Sequence, residues 1–315
     1  MRVWTDLDTL EPPRAGAAVA IGTFDGVHLG HRALIRAAVE DSRALGCESV
    51  VFTFDRHPAE LVSPESAPAY LASPRQQERL ISELGADHLV VARFDAAMRD
   101  LPAEAFVDHV LVARLRAKSV HVGQGFRFGS ERRGDESLLR RAGRARGFRV
   151  RALAPVEADG GPVSSTRIRQ LLGEGDVVAA ARLLGRPFEL DGVVVSGDRR
   201  GRLLGFPTAN LAPAGRRVVP ADGVYAVRVR LGPSLPEPGR PVLRGACSIG
   251  VRPTLGGTQR TIETYLFDFD GDLYGQELEL AFVARLREER RFPTLDALTD
   301  QMRLDVQEAR RILSE

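Results

Sequence analysis

Residues 20–31 read AIGTFDGVHLGH and set the architecture of the N-terminal half. A short apolar run over residues 17–21 leads into them and predicts a buried strand. Apolar residues then recur at helical spacing over residues 31–45. A turn between a strand and a helix is a common phosphate site in α/β sheets, because the free helix amides and the helix dipole both favour an anion.

Strand and helix patterns alternate from residue 17 to about residue 155. This alternation predicts an α/β domain with a doubly wound parallel sheet. Two short helices, over residues 166–172 and 176–184, end the domain, which we place at residues 1–185. The predicted strands are residues 17–21, 49–54, 88–94, 119–123 and 148–153, and the longer predicted helices are residues 31–45 and 102–115.

The hydrophobic period changes to two in the C-terminal half. Residues 227–231 and 277–285 alternate between apolar and polar side chains, which predicts a small antiparallel β-barrel over residues 186–315. In the second run, Leu278, Leu280, Phe282 and Ala284 alternate with Glu277, Glu279 and Arg285. Residues 295–313 follow with a helical apolar stripe and Thr294 as a plausible N-cap, so a terminal helix should cover the barrel.

Composition limits the classes of partner. The chain has 315 residues, 43% hydrophobic and 27% charged, which excludes a disordered or collagen-like protein and favours two domains. Its 44 basic and 42 acidic residues give a net charge of +2, so no nucleic-acid partner is predicted. The expected partners are small molecules, and weak self-association is left open.

The rare residue types exclude several further sites. Lys118 is the only lysine, so a Walker-A loop is absent and we expect backbone amides, histidines or guanidinium groups to bind any phosphate. Cys47 and Cys247 show no Cys-x-x-Cys spacing, which excludes a zinc knuckle. No apolar run reaches about 18 residues and the N-terminus is acidic, so we expect no membrane segment and a cytoplasmic location.

The first candidate site contains two histidines. His28 and His31 are three positions apart, so both imidazoles can face one side of the helix start and donate hydrogen bonds to one phosphate. Gly30 would let a nucleotide approach the backbone. Far along the chain, Ser164 opens a hydroxyl-rich helix start that also carries Arg167 and could hold the β and γ phosphates of ATP. Read alone, the spacing of His28 and His31 also suits surface histidines. The helix start at Ser164, read alone, also suits a simple N-cap.

The second candidate site lies in the barrel half. Thr208 and Asn210 are two positions apart, so in an extended segment both point to one face and could touch one Mg²⁺ or phosphate. The bare pattern equally suits a turn that enters a strand. Glu263 lies in a strand-like run where its carboxylate could reach the barrel mouth, although a glutamate in a strand is usually solvated.

An apparent calcium loop follows this run. Asp268, Asp270, Asp272 and Glu279 occupy EF-hand ligand positions, but Leu273 stands where the loop requires glycine. We expect a hairpin turn at residues 270–271 instead.

Together these motifs resemble the bacterial family of bifunctional riboflavin kinases/FMN adenylyltransferases over essentially the whole chain. The first string also resembles the signature of the nucleotidylyltransferase superfamily. Arg56 stands where the family usually has proline, and residues 124–125 read Gln-Gly where an acidic residue or asparagine is common. The motifs that carry the resemblance are residues 22–31, 52–58, 122–129, 163–169 and 205–211.

The resemblance implies two reactions that form FAD. Riboflavin and ATP give FMN and ADP in the barrel, and FMN and ATP then give FAD and pyrophosphate in the α/β domain, with Mg²⁺ as the metal. The residues implied in catalysis are His28, His31, Arg167 and, as general base, Glu263. Those implied in nucleotide binding are Gly22, Thr23, Phe24, Asp25, Gly30, Ser164, Ser165, Thr166, Gly201, Arg202, Gly205 and Pro207. Those implied in flavin binding are His57, Pro58, Gly123, Phe126, Phe128, Arg287, Arg290 and Phe292, and those implied in Mg²⁺ binding are Thr208 and Asn210.

Two other functions are compatible with parts of this pattern. One is a different nucleotidyltransferase, such as a cytidylyl or pantetheine-phosphate adenylyl enzyme, with an unrelated barrel; residues 205–210, GFPTAN, speak against it. The other is an RNA-binding or regulatory flavin sensor that has lost catalysis. The near-neutral charge and the presence of the proposed catalytic side chains argue against a sensor.

Overall fold

The computed structural model describes residues 1–197, 205–232, 242–254 and 257–314, with the side chains of residues 252–259 left out. The chain forms two compact units. The first comprises Met1–Pro68 and Gln76–Val163, and the second comprises Ala69–Arg75 and Ser164–Glu315. A short segment of the N-terminal half therefore belongs to the unit that contains the C-terminal half.

The first unit is built on a parallel six-stranded sheet with the order β1-β4-β3-β2-β5-β6. The predicted doubly wound sheet is confirmed. The edge strand β1 was not predicted, because its three residues are too few to show a hydrophobic pattern. The strands are β1 Arg2–Trp4, β2 Ala17–Ile21, β3 Glu48–Phe54, β4 His88–Ala92, β5 Ala117–Gly123 and β6 Arg149–Leu153.

Helices connect these strands. A π-helical stretch, Phe106–Arg114, continues the short helix before it, and single 3-10 turns lie at Pro64–Ser66 and Ser130–Arg132. A small hairpin of β7 Glu157–Ala158 and β8 Gly161–Pro162 follows the sheet. The α-helices are α1 Leu29–Leu45, α2 Ala59–Val62, α3 Pro74–Ser82, α4 Ala96–Asp100, α5 Ala103–Ala105 and α6 Glu136–Arg146.

Both faces of the sheet are buried. Val19 and Ile21 of β2 point to the side that carries Phe106 and its helix. Ala20, the residue between them, packs with Ile35 of α1 on the other side. Successive strand residues alternate between faces, so a strand covered on both sides is apolar throughout, as β2 is.

The second unit contains a closed barrel with the strand order β10-β13-β12-β11-β14-β9, in which all pairs are antiparallel. The predicted small barrel is confirmed. Two helices, α7 Ser165–Glu174 and α8 Val177–Leu184, precede it, and α8 packs on β9 and β14. The strands are β9 Phe188–Val195, β10 Thr208–Pro213, β11 Gly223–Leu231, β12 Leu243–Thr254, β13 Gly257–Leu266 and β14 Glu277–Arg287.

The terminal helix α9, Leu295–Ser314, covers part of the barrel. It begins where the sequence predicts, because the Thr294 hydroxyl accepts a hydrogen bond from the Ala297 amide at 3.2 Å. Its apolar stripe places Ala309 and Leu313 in a core with barrel residues. No helix in the described part of the chain is long and apolar enough to cross a membrane.

One local expectation about the barrel is wrong, and the burial of one charged side chain was not predicted. Glu279 does not face solvent: it is 2% exposed and forms an ion pair with Arg230, which compensates its burial. Residues 270–271 do not form a hairpin turn, because the strands that they connect, β13 and β14, are not neighbours in the barrel. Strand alternation and turn residues alone carry no information on strand order.

Candidate active sites

The first candidate site lies where three neighbouring strands of the parallel sheet end. The chain runs from β2 to β3 and β4 in one direction and places β5 on the opposite side of β2. Open α/β sheets bind ligands at such a reversal, outside the carboxyl ends of the strands. The residues that follow β2, β3 and β5 belong to three predicted motifs, at residues 22–31, 55–58 and 124–129.

The turn after β2 has an unusual backbone. Phe24 and Val27 have positive φ angles of 48° and 41°, and Gly26 has a φ of 78°. Positive φ is unfavourable for large and β-branched residues, so the surrounding contacts must stabilise this turn. Phe24 and Val27 are both fully buried, and the Val27 amide donates to the Phe24 carbonyl at 3.1 Å. The turn therefore fixes the backbone position of the residue that follows it.

That residue is His28, the N-cap of α1. Its Nδ1 accepts a hydrogen bond from the His31 amide at 3.3 Å. The two imidazole rings stack with their centroids 3.6 Å apart and an interplanar angle of 17°. Gly30 leaves room for this stack, because a Cβ there would lie 3.2 Å from His28 Cε1. The structure thus brings the two predicted histidines together.

The protonation states of this pair follow from the same contacts. His28 is 6% exposed, and its Nδ1 is an acceptor, so its neutral ring carries the proton on Nε2. His31 Nδ1 is buried without a hydrogen-bond partner among the described residues. Burial and the adjacent His28 hold the pKa of His31 well below its ordinary value of 6.5. His31 is therefore neutral at pH 7.

The other predicted nucleotide residues of this turn are held by the protein itself. The Thr23 carbonyl accepts hydrogen bonds from Thr53 Oγ1 at 3.1 Å and from Gln77 Nε2 at 2.8 Å. Asp25 is 4% exposed. Gly22 lies beneath the Phe24 ring, whose nearest atom would be 3.2 Å from a Cβ at this position. These contacts fix the loop backbone.

The predicted flavin residues lie at the ends of β3 and β5. His57 Nδ1 accepts from the Ala59 amide at 3.1 Å, directly before α2, which has Pro58 as its N-cap. The Phe126 amide donates to the Gly123 carbonyl at 3.1 Å, which turns the chain after β5. Phe126 is half-buried and stacks on Phe128 with ring centroids 5.5 Å apart.

Phe128 lies deeper than its partner. It is 8% exposed, and its ring lies 5.6 Å from that of Phe106 in the core. Gly134 also lies against it, because a Cβ there would be 2.8 Å from the Phe128 ring. Phe128 thus supports Phe126 from below.

The departures from the family pattern are on the surface. Arg56 pairs with the neighbouring Asp55, whose other carboxylate oxygen accepts from the Phe94 amide at 2.8 Å. Gln124 and Gly125 are exposed after β5.

The hydroxyl-rich helix start belongs to the second unit. Ser164 is the N-cap of α7, and its side chain accepts a hydrogen bond from the Arg167 amide at 3.2 Å. Ser165, Thr166 and Arg167 form the first turn of α7. The amides of a first helical turn favour an anion, and Arg167 adds a guanidinium group there.

The second candidate site lies on two paired barrel strands. Asn210 of β10 is directly opposite Glu263 of β13, and Thr208 Oγ1 donates to Glu263 Oε2 at 3.3 Å. Thr208 and Asn210 are half-buried, while Ala209 and Leu211 are buried. The expected shared face of Thr208 and Asn210 is confirmed. Glu263 is 8% exposed, so the expected solvated alternative is wrong.

A glycine that the sequence analysis did not single out supports this site. A Cβ on Gly197 would lie 2.4 Å from Asn210 Nδ2, so the Asn210 amide packs directly on the Gly197 backbone. No sequence signal identifies this contact, because it depends on the register of β10 against the end of β9. Gly205, with a φ of 81°, precedes β10 as predicted for a tight turn. Gly201 and Arg202 lie outside the described residues.

Two cavities meet at Thr208. The larger, of about 940 Å³, is lined by Thr208, Glu263 and Tyr265 of the barrel, by the segment that contains Arg290 and Phe292, and by one face of α9. The smaller, of about 600 Å³, is lined by Pro207, Thr208 and the connection between β13 and β14. A drug-sized ligand needs a cleft of about 300–1,000 Å³, so each cavity can hold one substrate.

Comparisons with known proteins agree with this architecture. The sequence family described as FAD synthetase matches residues 11–167, and the family described as riboflavin kinase matches residues 184–313. A bifunctional riboflavin kinase/FMN adenylyltransferase of Pseudomonas fluorescens is 42% identical over 314 residues, which cover 99% of this chain and 98% of that protein. The protein of the same name from Escherichia coli K12 is 40% identical over 300 residues, covering 95% of this chain and 94% of that protein.

A solved structure shares the whole fold under a different name. The crystal structure of a macrolide-efflux protein from Streptococcus pneumoniae superposes with a TM-score of 0.86 and 31% identity, covering 98% of each chain. Its name concerns efflux, whereas both matched sequence families and the curated relatives are named for flavin enzymes. With both halves matched and the full length aligned, the chain belongs to the family of bifunctional riboflavin kinases/FMN adenylyltransferases.

Proposed function

We propose how this chain divides the two reactions of its family. The enzyme phosphorylates riboflavin to FMN and adenylylates FMN to FAD, with ATP as co-substrate in both steps. We assign adenylylation to residues 1–185 and phosphorylation to residues 186–315. The separate family matches to residues 11–167 and 184–313 support this division.

One observation carries the assignment of the kinase step. Glu263 Oε2 lies 3.3 Å from Thr208 Oγ1, and Thr208 lines both barrel cavities. Riboflavin occupies the larger cavity and ATP the smaller one. Glu263 accepts the proton of the terminal ribityl hydroxyl as that oxygen bonds to the γ phosphorus of ATP, and the bond from this phosphorus to the ADP oxygen breaks.

Thr208 and Asn210 would hold Mg²⁺ in the kinase site. They present a hydroxyl and an amide oxygen on one strand face beside the Glu263 carboxylate, and oxygen atoms are the ligands that Mg²⁺ takes in proteins. When bound, Mg²⁺ offsets the negative charge of the phosphates. The Asn210 amide packs on the Gly197 backbone, and this contact would fix the amide at the site.

The adenylylation step needs positioning more than proton transfer. A phosphate oxygen of FMN bonds to the α phosphorus of ATP, pyrophosphate leaves, and no covalent enzyme intermediate forms. His28 donates from Nε2 to the α phosphate, and the neutral His31 contributes one further N–H. Phe126 offers its ring to FMN.

A product analysis tests this assignment. The full chain is incubated with riboflavin, ATP and Mg²⁺, and the flavins are separated by chromatography. FMN should appear first and FAD should follow as FMN is consumed. CTP in place of ATP, or pantetheine phosphate in place of FMN, should give no nucleotidyl product, and a product from either would support the rival nucleotidyltransferase.

A further inference from the structure

The wall of the larger barrel cavity contains an ion-paired network outside the proposed chemistry. Residues 288–294, between β14 and α9, form no helix or strand although the structure describes all of them. They contribute Arg290, Phe292 and neighbouring residues to the cavity lining. Without internal backbone pairing, this segment depends on side-chain contacts for its position.

Asp305 on α9 provides the anchor for those contacts. It is 6% exposed and accepts three hydrogen bonds from Arg287, at 3.0 and 3.1 Å from Nε and at 2.8 Å from Nη2. Gln301 Nε2 donates to Asp305 Oδ1 at 2.8 Å. A buried carboxylate paired in this way with a guanidinium fixes its partner in one orientation.

Two branches lead from this carboxylate to the segment. Arg287 Nη1 donates to the Glu288 carbonyl at 2.9 Å, so every nitrogen of this guanidinium is engaged by protein groups. In the second branch, Arg290 donates to Gln301, which in turn donates to Asp305.

Both branches meet at Phe292. The guanidinium carbons of Arg287 and Arg290 lie over the Phe292 ring, 5.6 and 4.9 Å from its centroid. Such cation–π contacts hold an aromatic ring at a defined place. Phe292 is half-buried and lines the cavity that we assign to riboflavin.

We propose that Asp305 is a positioning residue for riboflavin, because it holds Arg287 and Gln301 and, through them, the Phe292 wall of the cavity. This inference rests on the proposed kinase site. Arg287 lines the same cavity, and its guanidinium also supports the Phe292 ring. Asp305 also lines the cavity, but its hydrogen bonds among the described residues go to Arg287 and Gln301 and not to Thr208 or Glu263, so its removal should weaken riboflavin binding without slowing phosphoryl transfer.

The test uses the full chain with Asp305→Asn. The KM for riboflavin should rise about tenfold, since a buried charged hydrogen bond is lost, while kcat stays within about twofold. Gln301→Ala, which leaves the buried ion pair intact, should raise this KM by a smaller factor. Glu308→Gln is the matched control, because Glu308 pairs with exposed Arg311 on the same helix, and its KM should equal that of the wild type.

An unchanged kcat for riboflavin phosphorylation reports that the barrel is folded, and adenylylation of supplied FMN should be equal in all variants because the histidine site lies in the other unit. Leu298→Trp, which fills the cavity, tests the riboflavin site separately from the positioning role of Asp305. If Leu298→Trp leaves the riboflavin KM unchanged, the cavity is not the riboflavin site and the assignment of the kinase site fails. If it raises KM but Asp305→Asn and Gln301→Ala do not, or if Asp305→Asn lowers kcat with KM unchanged, the positioning role alone is wrong.

Discussion

The two candidate sites differ in the distance along the chain between their functional side chains. His28 and His31 are three positions apart and meet because one helix begins between them. Thr208 and Glu263 are 55 positions apart and meet only because β10 pairs with β13. The first site is therefore a local motif that one turn and one helix can build, whereas the second requires the closed barrel.

The sites also differ in chemistry. The α/β unit presents ring nitrogens at a helix start, with a neutral His31, which suits hydrogen bonding to phosphates already held in place. The barrel presents oxygen atoms, one of them a buried carboxylate, which suits proton removal and metal binding. Under the proposed assignment each site serves one of the two reactions, and removing one group at a time tests this.

The largest effect is expected at the barrel site. Glu263→Gln removes the proposed proton acceptor and should reduce riboflavin phosphorylation by about 10²–10⁴-fold. Adenylylation of supplied FMN should be unchanged, because the histidine site lies in the other unit. Initial rates of both half-reactions are measured on the same preparation. Retained riboflavin phosphorylation would remove Glu263 from this role.

The opposite loss is expected at the histidine site. His28→Ala removes both the Nε2 donor and the N-cap of α1, and adenylylation should fall by about 10²–10³-fold, as for other donors to a developing charge. Riboflavin phosphorylation should continue, so FMN accumulates in place of FAD. Chromatography of the flavins over time measures both. Equal loss of the two activities would argue against separate sites.

A smaller loss in the barrel should follow Gly197→Ala. The added Cβ would lie 2.4 Å from Asn210 Nδ2, so the Asn210 side chain must move. Misplacing a positioned group by about 1 Å costs up to about 10²-fold in rate, and we expect riboflavin phosphorylation to fall by this order.

A glycine elsewhere in the same unit provides the control. Gly173→Ala, on α7, adds a Cβ that meets nothing within 4 Å and should leave the rate unchanged. A higher Mg²⁺ requirement for Gly197→Ala alone would place the defect at Asn210. Equal rates for the two variants would show that the contact with Gly197 does not position this amide.

The smallest effect concerns pH and the stability of the α/β unit. The pKa of His31 is lowered in the folded chain, so the unfolded chain binds the proton more readily as the pH falls below 6.5. The stabilising contribution of neutral His31 is thus complete above the unfolded pKa and is lost as the pH falls toward the folded pKa. One such group changes the free energy of unfolding by at most about 1.4 kcal/mol per pH unit.

Trp4 is the only tryptophan and lies in β1, so its fluorescence reports unfolding of this unit. Denaturant unfolding is compared at about pH 7.5 and about pH 5.5, on either side of the ordinary histidine pKa. Between these pH values, the free energy of unfolding of the wild type should fall by about 1 kcal/mol more than that of His31→Gln. His121, whose pKa burial also lowers, is present in both proteins and cancels. Equal losses would show that His31 is not buried as a neutral ring.

The sequence predicts those features that depend on near neighbours. The β2 turn, the histidine pair, the Ser164 and Thr294 caps and the shared face of Thr208 and Asn210 all follow from spacing over a few residues. The parallel sheet and the barrel follow from hydrophobic period and element order.

The remaining features depend on which strands meet. The burial of Glu279 requires Arg230 on the adjacent β11, and the contact of Gly197 with Asn210 requires the β9–β10 register. The anchor at Asp305 requires α9 to lie across the end of β14. None of these pairings is encoded in local spacing, so residue patterns alone could not reveal them.

The most direct test of two separate sites is to mix two variants that each lack one of the two activities. His28→Ala and Glu263→Gln proteins are each incubated with riboflavin, ATP and Mg²⁺, alone and together, and FAD is quantified. The account predicts no FAD from either variant alone and FAD from the mixture, because FMN made by the first variant is adenylylated by the second. FAD from either variant alone, or none from the mixture while FMN accumulates, would contradict it.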